Sequence, residues 1–130
     1  MVVDTSALLS ILLQEPDAAR MSAALERADL RLISAVSVQE AGMVVWSRHG
    51  HAGMLDLERL LADAAIEIVP YDGAQARLAV EAFAKYGKGR HRAALNLGDC
   101  AAYALSKESG EPLLFKGDDF AKTDVGTSPA

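Results

Sequence analysis

The chain has 130 residues, of which 51% are hydrophobic and 24% charged, and its formal net charge is −5. This composition excludes an intrinsically disordered chain, and the negative charge argues against a protein that coats nucleic acid non-specifically. With one cysteine, Cys100, the chain can form neither an internal disulfide nor a Cys/His metal cluster. We expect a single domain over residues 1–130, with residues 126–130 fraying.

The sequence shows neither a membrane span nor a secretory signal. No apolar run approaches the ~20 residues that a transmembrane helix needs. The apolar stretch from Ala7 to Leu13 follows an acid, Asp4, and no basic region precedes it, unlike a signal peptide. We therefore expect a cytoplasmic protein that does not bind a membrane.

The first ten residues combine a short strand, an acid and the start of a helix. Residues 1–3 are expected to form a buried strand, because β-branched residues favour strands. Asp4 then lies at the carboxyl end of this strand. Thr5 or Ser6 can cap a helix that begins at Ala7, although Asp is itself a common helix cap and that interpretation of Asp4 stays open.

Helices and short strands alternate along the rest of the chain. Runs rich in Ala, Leu, Met and Arg predict helices, and short β-branched runs bounded by Gly or Pro predict strands. This alternation predicts a mostly parallel sheet with helices on both faces. The expected helices cover residues 18–28, 38–49, 54–64, 76–86 and 98–107, and the expected strands cover 30–34, 66–70, 112–116 and 123–125.

The helix that follows the second strand has two unusual features. Ser37 and Glu40 match a capping box, in which a hydroxyl residue is followed three residues later by Glu. The helix is apolar nearly all round as far as Trp46, and Gly50 ends it. One apolar stripe is enough to face a core, so the second apolar face predicts an interface with another chain.

Acidic residues occur where strands end or the following helices begin. Asp4, Asp118 and Asp119 follow strands, whereas Glu40 and Asp99 lie in the first turns of helices. In a parallel sheet these positions share one edge, so we expect four or five carboxylates to converge on one cleft. Each acid also has a structural interpretation, as a capping-box residue, a helix-terminal charge or a turn residue.

Clustered carboxylates repel one another unless a cation lies among them. Carboxylate oxygens are ligands that suit Mg²⁺ or Mn²⁺, and such an ion can activate water and hold a phosphate. A nearby basic loop, with Lys88, Arg90 and Arg92, is expected to contact the phosphates of a nucleic acid, because guanidinium groups bind phosphate bidentately. The alternative for this loop is a solvated surface turn.

Taken together, these residues resemble the PIN-domain ribonucleases, specifically the VapC-type toxins of bacterial toxin–antitoxin pairs. The matching segments occur in the family's order and span almost the whole chain. They are Val2-Val3-Asp4-Thr5-Ser6-Ala7-Leu8, residues 34–40 (SAVSVQE), residues 95–100 (LNLGDC) and residues 112–120 (PLLFKGDDF). Many relatives carry Thr at the position of Phe115 and an acid at the position of Gly117, so the chain departs from the family there.

The resemblance implies a three-layer α/β/α sandwich and an endoribonuclease that cleaves RNA phosphodiesters with a water activated by Mg²⁺ or Mn²⁺. It also implies a cognate small antitoxin that wraps and inhibits the toxin, and a toxin homodimer. The residues implied in catalysis and metal binding are Asp4, Glu40, Asp99 and Asp119, with Asp118 as an alternative fourth acid. Hydrogen bonds from Thr5, Ser6 and Asn96 would orient the metal-binding acids.

Other families with an acid after the first strand fit less well. A haloacid-dehalogenase-type phosphotransferase needs a second acid where this chain has Ser6, and a receiver domain pairs two acids near its first strand. No Gly-x-Gly-x-x-Gly turn follows a strand, which argues against a dinucleotide site. A non-enzymatic interpretation stays open, namely a PIN-like or receiver-like binding or signalling module without nuclease activity.

Overall fold

Four short parallel strands form the central sheet of the chain, for which a computed structural model describes residues 1–128. They are β1 (Val2–Val3), β2 (Leu32–Ser34), β3 (Glu67–Val69) and β4 (Leu113–Leu114), in the spatial order β3-β2-β1-β4. Each strand pairs in parallel with its neighbours. The predicted parallel sheet is therefore confirmed, with every strand shorter than expected.

Five helices connect the strands. They are α1 (Thr5–Leu12), α2 (Ala18–Arg27), α3 (Ala35–Asp63), α4 (Gly73–Tyr86) and α5 (Leu97–Ser109). The long segment α3 is interrupted at Gly50, where φ is +59° and ψ is −141°, a conformation that glycine adopts readily. Gly50 thus separates two helical pieces as predicted. Within residues 1–128, no helix combines the length and apolar character needed to cross a bilayer.

Side chains that alternate along the strands build a core on each face of the sheet. Successive residues of a strand point to opposite faces of the sheet. The strand residues that face the two cores are all buried. Val3, Ile33 and Leu114 pack with residues of α1, α2 and α3. Val2, Leu32 and Leu113 pack instead with residues of α4 and α5. The result is the three-layer α/β/α sandwich that the family resemblance implied.

The strand order creates a switch point between β1 and β4. The chain places β1, β2 and β3 side by side in one direction and then returns to place β4 on the free side of β1. Ligands of open α/β sheets bind outside the carboxyl ends of the strands at such a point. Asp4 directly follows β1, and Asp118 and Asp119 come a few residues after β4, so acids lie on both sides of the switch point.

The C-terminal segment differs from the sequence-based expectation. The strand predicted over residues 123–125 is wrong, because a short 3₁₀ helix, Phe120–Lys122, leads into a turn there. Thr123 holds this turn, since its hydroxyl donates to the Phe120 carbonyl and accepts from the Val125 N–H, and such local bonds compete with a strand. In the segment expected to fray, the Gly126 carbonyl accepts from the Leu113 N–H and the Ser128 N–H donates to the Leu113 carbonyl. Residues 129–130 lie outside the described residues.

Candidate active site

Asp4 caps the first helix from the carboxyl end of β1. The backbone N–H of Ser6 donates to Asp4 Oδ2 over 3.0 Å, and the Ser6 hydroxyl donates to the same oxygen over 2.5 Å. The predicted cap, Thr5 or Ser6, is therefore wrong, because the helix begins two residues earlier than Ala7 and the preceding acid caps it. The Thr5 hydroxyl instead donates to the Ser37 carbonyl, 3.4 Å away on α3.

Ser6 connects Asp4 with the segment that follows β4. The Lys116 N–H donates to Ser6 Oγ over 2.9 Å, and Ser6 Oγ donates onward to Asp4. Both hydrogen bonds that Asp4 accepts from the described residues go to Oδ2. Its role as a helix cap therefore does not use Oδ1. Capping and a role in the site are thus compatible for this carboxylate.

Burial raises the pKa of Asp4 well above its ordinary value. The side chain is 3% exposed, and its removal from water raises the pKa from 3.8 to about 6. The two hydrogen bonds from Ser6 lower the pKa, whereas the charges of Asp99 and Glu40 raise it further. Removing a carboxylate from water disfavours its charged form, and neighbouring negative charges disfavour it further. A cation bound beside Asp4 would favour the charged carboxylate and so lower its pKa again.

Glu40 is free of the capping role that its sequence pattern predicted. Helix α3 begins at Ala35, and the hydroxyl of Ser34 caps it by accepting the Val36 N–H over 3.2 Å. Ser37 lies inside the first turn, where its hydroxyl is buried and finds no hydrogen-bond partner within residues 1–128. The predicted capping box is therefore wrong, because β2 ends at Ser34 and the chain enters the helix there.

The carboxylate of Glu40 lies against the first turn of α5. A Cβ atom added at Gly98 would lie 2.6 Å from Glu40 Oε1 and 2.8 Å from Oε2, closer than real Cβ contacts. The absence of a side chain at Gly98 therefore allows Glu40 to approach. Among residues 1–128, no donor forms a hydrogen bond or ion pair with this carboxylate. The sequence signal for Gly98 was only its place in the LNLGDC segment.

Asp99 and Asn96 form the capping box of α5. The Asn96 N–H donates to Asp99 Oδ2 over 3.0 Å, and the Asp99 N–H donates to Asn96 Oδ1 over 2.9 Å. These reciprocal bonds hold the Asp99 side chain in one orientation. Burial raises the pKa of Asp99 against the lowering effect of the Asn96 bond, and the charges of Glu40 and Asp119 raise it further.

Asp118 and Asp119 are less enclosed than the other acids. Their side chains are 83% and 58% exposed, and Lys122 lies 4.0 Å from Asp118 Oδ1 and 3.8 Å from Asp119 Oδ1. Asp119 is among the charges that raise the pKa of Asp99, whereas Asp118 is not. The charge of Asp119 thus acts on Asp99.

The structure brings Asp4, Glu40 and Asp99 together at the carboxyl edge of the sheet, where the charges of Glu40 and Asp99 raise the pKa of Asp4 and the Glu40 carboxylate lies against Gly98, the neighbour of Asp99. No Lys or Arg of residues 1–128 forms an ion pair with these three acids. In the same residues, no three His, Cys, Asp or Glu side chains stand close enough to make a complete metal-binding group. Mg²⁺ takes one or two direct carboxylates and keeps several waters, so this open, uncompensated set of oxygens fits such an ion.

The basic loop lies in the segment that leads to α5. Lys88, Arg90 and Arg92 are exposed, and no carboxylate of residues 1–128 forms an ion pair with them. The Arg90 guanidinium lies over the ring of Phe83, 5.7 Å from its centroid. The loop thus presents three positive charges to solvent, as expected for phosphate contacts, although its geometry also fits a solvated turn.

One feature beside the acids was missed by the sequence analysis. Leu97 is the first residue of α5, directly before Gly98, and it is 79% exposed. In the sequence an apolar residue at the start of a helix looks like a core residue, so no signal distinguished it. Leu97 lines two surface grooves, one with Glu40 and Gly98 on its wall and one formed with α4.

Comparisons with known proteins agree with this fold and arrangement. The family model for the PIN domain matches residues 1–126. The chain is 50% identical to ribonuclease VapC30 of Mycobacterium tuberculosis over 127 residues, which cover 98% of this chain and 97% of that protein.

Two solved structures show the same fold at low sequence identity. VapC20 of Mycobacterium tuberculosis, described as a sarcin–ricin loop cleaving toxin, superposes with a TM-score of 0.77 at 15% identity and covers 95% of both chains. A chain of a toxin–antitoxin complex from Klebsiella pneumoniae gives a TM-score of 0.72 at 19% identity, covering 99% of this chain and 97% of that one.

Proposed function

Because the chain belongs to the PIN-domain family, among the VapC ribonucleases, we propose that it is the endoribonuclease toxin of a toxin–antitoxin pair and acts on RNA in the cytoplasm. The observation that carries this proposal is the cluster of Asp4, Glu40 and Asp99 at the switch point of the sheet. Metal dependence is general in this family. We propose Mg²⁺, or Mn²⁺ in its place, as the ion.

One or two carboxylates of the cluster formed by Asp4, Glu40 and Asp99 would hold this ion directly and the remaining acid through the ion's water molecules, with Asp119 at the open side of the site. When bound, a divalent ion supplies a water activated for attack and neutralises charge on the phosphodiester. The chain's own residues then have separate tasks. Ser6 and Asn96 keep Asp4 and Asp99 oriented through the bonds described above, which limits the reorganisation needed during the reaction.

The substrate must approach an acidic site on an acidic protein. Lys88, Arg90 and Arg92 provide the local positive charge that offsets this repulsion, and we propose that they contact the phosphates that flank the cleaved bond. Their exposure and the absence of ion-pair partners within residues 1–128 support this role.

Expression of the chain alone in bacterial cells tests the proposal. We expect growth to stop and cellular RNA to be cut, and we expect Asp99→Asn to abolish both effects while the protein accumulates normally. Asn can keep the capping bond with Asn96, since amides also occupy this capping-box position. Growth arrest by Asp99→Asn, or intact RNA in arrested cells, would contradict a ribonuclease with this site.

We further propose that the exposed apolar face of α3 binds protein partners, namely the cognate antitoxin and a second copy of the chain. Trp46 is 56% exposed, and Met43 on the same helix is also exposed. Met43 and Trp46 are three residues apart on the helix and so form one exposed apolar patch, which is the kind of surface that marks an interaction site, and Trp is enriched among residues that dominate binding energy. Co-expression of the antitoxin should restore growth, and sedimentation of the purified chain should give the mass of a dimer.

Replacing Gly98 by Ala should impair cleavage through Glu40 without damaging the fold. The added methyl group would overlap the Glu40 carboxylate, and this flexible side chain would move aside. A displacement of about 1 Å at a reacting centre can lower the rate by on the order of 10²-fold. The rate of RNA cleavage and the thermal midpoint of the purified variant check this expectation.

Gly126→Ala is a suitable control for this experiment. A Cβ atom there would meet only Pro112, at an ordinary distance of 3.8 Å, so its cleavage rate should equal that of the parent. If Gly98→Ala also cleaves at the parent rate, the position of Glu40 beside α5 is irrelevant to the reaction.

A further inference from the structure

An apolar groove lies between α4 and the first turn of α5, the turn that also carries Asp99. Its volume is about 370 Å³, within the ~300–1,000 Å³ typical of small-molecule sites. No charged side chain lines it. The lining residues are Tyr71, Ala76, Ala79, Val80, Phe83, Leu97 and Cys100.

The first turn of α5 connects this groove with the proposed site. Leu97 and Cys100 line the groove, and the residues between them, Gly98 and Asp99, contact Glu40 or belong to the acidic cluster. A nucleotide next to the one at the acids therefore has the groove within reach. The highly exposed Leu97 stands between this groove and the second groove, which Glu40 lines.

The aromatic ring that lines the groove from α4 carries a guanidinium group. Phe83 is 41% exposed, and the guanidinium of Arg90 lies over its ring. Arg90 and Arg92 form no ion pair with a carboxylate of residues 1–128. Proteins that bind single-stranded RNA combine these same elements, namely an aromatic surface for a base and cations for the adjoining phosphates.

We propose that this groove holds one unstacked base of the RNA substrate, next to the phosphodiester that is cleaved, with Phe83 as the stacking surface and Leu97 as a wedge that separates it from the neighbouring base. The inference rests on the proposed ribonuclease function and adds Phe83 and Leu97 as residues that position the base beside the cleaved bond. A base suits the groove because its lining is apolar, whereas a phosphate suits the Arg90 guanidinium, which lies over Phe83.

The test compares two fluorescent oligonucleotides of equal charge, twelve-residue oligoadenylate RNA and an abasic ribose-phosphate strand of the same length. Binding is measured by fluorescence anisotropy in Mg²⁺ with Asp4→Asn protein, so that the RNA stays intact. Base stacking predicts that the dissociation constant of the abasic strand is about tenfold higher. In this background Phe83→Leu and Leu97→Ala should each bring the ratio of the two constants towards one, and Phe83→Trp should keep it.

Two control variants separate base contacts from phosphate contacts. Arg92→Ala should weaken the binding of both strands alike, since both carry the same phosphates. Leu55→Ala removes a similarly exposed apolar side chain outside the groove lining and should change neither constant. Circular dichroism checks that the Phe83→Leu protein is folded. The Leu97→Ala substitution alters a highly exposed side chain, so it tests the base-binding groove independently of any folding defect.

Three results would overturn the inference. The first is equal binding of the two strands by the Asp4→Asn protein, and the second is a ratio that neither Phe83→Leu nor Leu97→Ala changes. The third is conversion of a dimer into a monomer by Leu97→Ala with the ratio unchanged, which would make the groove an interface between copies. Cleavage of RNA by the unaltered chain, run in parallel, shows whether the proposed function itself fails.

Discussion

Asp4→Asn is expected to lower the rate of RNA cleavage by on the order of 10³-fold or more while the fold stays intact. A metal-held charge contributes several kcal/mol to stabilisation of a phosphoryl transition state, and each 1.36 kcal/mol corresponds to tenfold in rate. Asn is as good a helix cap as Asp, and its Oδ1 can accept both bonds that Ser6 donates. Cleavage of a labelled RNA under single-turnover conditions measures the loss.

The same substitution should stabilise the metal-free protein near neutral pH. Because the pKa of Asp4 is raised to about 6 in the fold, the folded state binds a proton more tightly than the unfolded state does. The resulting stabilisation is complete below pH ~4 and is lost as the pH rises through about 6. At pH 7.5 the charged Asp4 therefore costs about 3 kcal/mol at 1.36 kcal/mol per pKa unit, and Asn avoids this cost.

Urea unfolding in chelator at pH 7.5 and at pH 4 checks this sign. The variant should be the more stable protein at pH 7.5, by about 1–3 kcal/mol, and the difference should shrink at pH 4. A variant that unfolds more easily than the parent at both pH values would show that Asp4 is mainly a structural cap. A variant that cleaves RNA at more than a tenth of the parent rate would contradict its role in the site.

The positions of the acids were predictable because each acid lies shortly after a strand or in the first turn of a helix, and these positions share one edge of a parallel sheet. A short β-branched run followed by Asp4 predicts a carboxylate at the edge of a parallel sheet, and the structure has one there. The same reasoning placed Glu40 and Asp99 at that edge. Which strands flank β1 was not predictable from local patterns, since strand order depends on packing between distant segments, and the switch point emerged only from the fold.

The helix caps show where local patterns fail. The sequence around Ser37 and Glu40 satisfies the capping-box pattern, yet the helix starts at Ala35 because Ser34 ends β2 and offers its hydroxyl first. The pattern therefore predicted that Glu40 belongs to a helix cap, whereas in the structure Glu40 takes no part in capping α3. For Asp99 the opposite holds, because it does form a capping box with Asn96 and still belongs to the acidic cluster.

Removal of divalent metal is expected to abolish cleavage completely. Asp4, Glu40 and Asp99 repel one another, and no cation of residues 1–128 pairs with them, so the metal-free cluster would also repel an RNA phosphate. A ribonuclease that works without metal needs side chains such as His or Lys as acid and base. The described part of the cluster contains carboxylates alone, which cannot stabilise added negative charge.

The most direct test measures RNA cleavage by the purified chain in excess chelator and after return of Mg²⁺ or Mn²⁺, with Asp99→Asn protein as the control for contaminating nucleases. We predict no cleavage in chelator, full recovery when either ion is added, and no activity of the control protein under any of these conditions. Cleavage that persists in excess chelator and is absent from the Asp99→Asn control would contradict a metal-dependent reaction at this site.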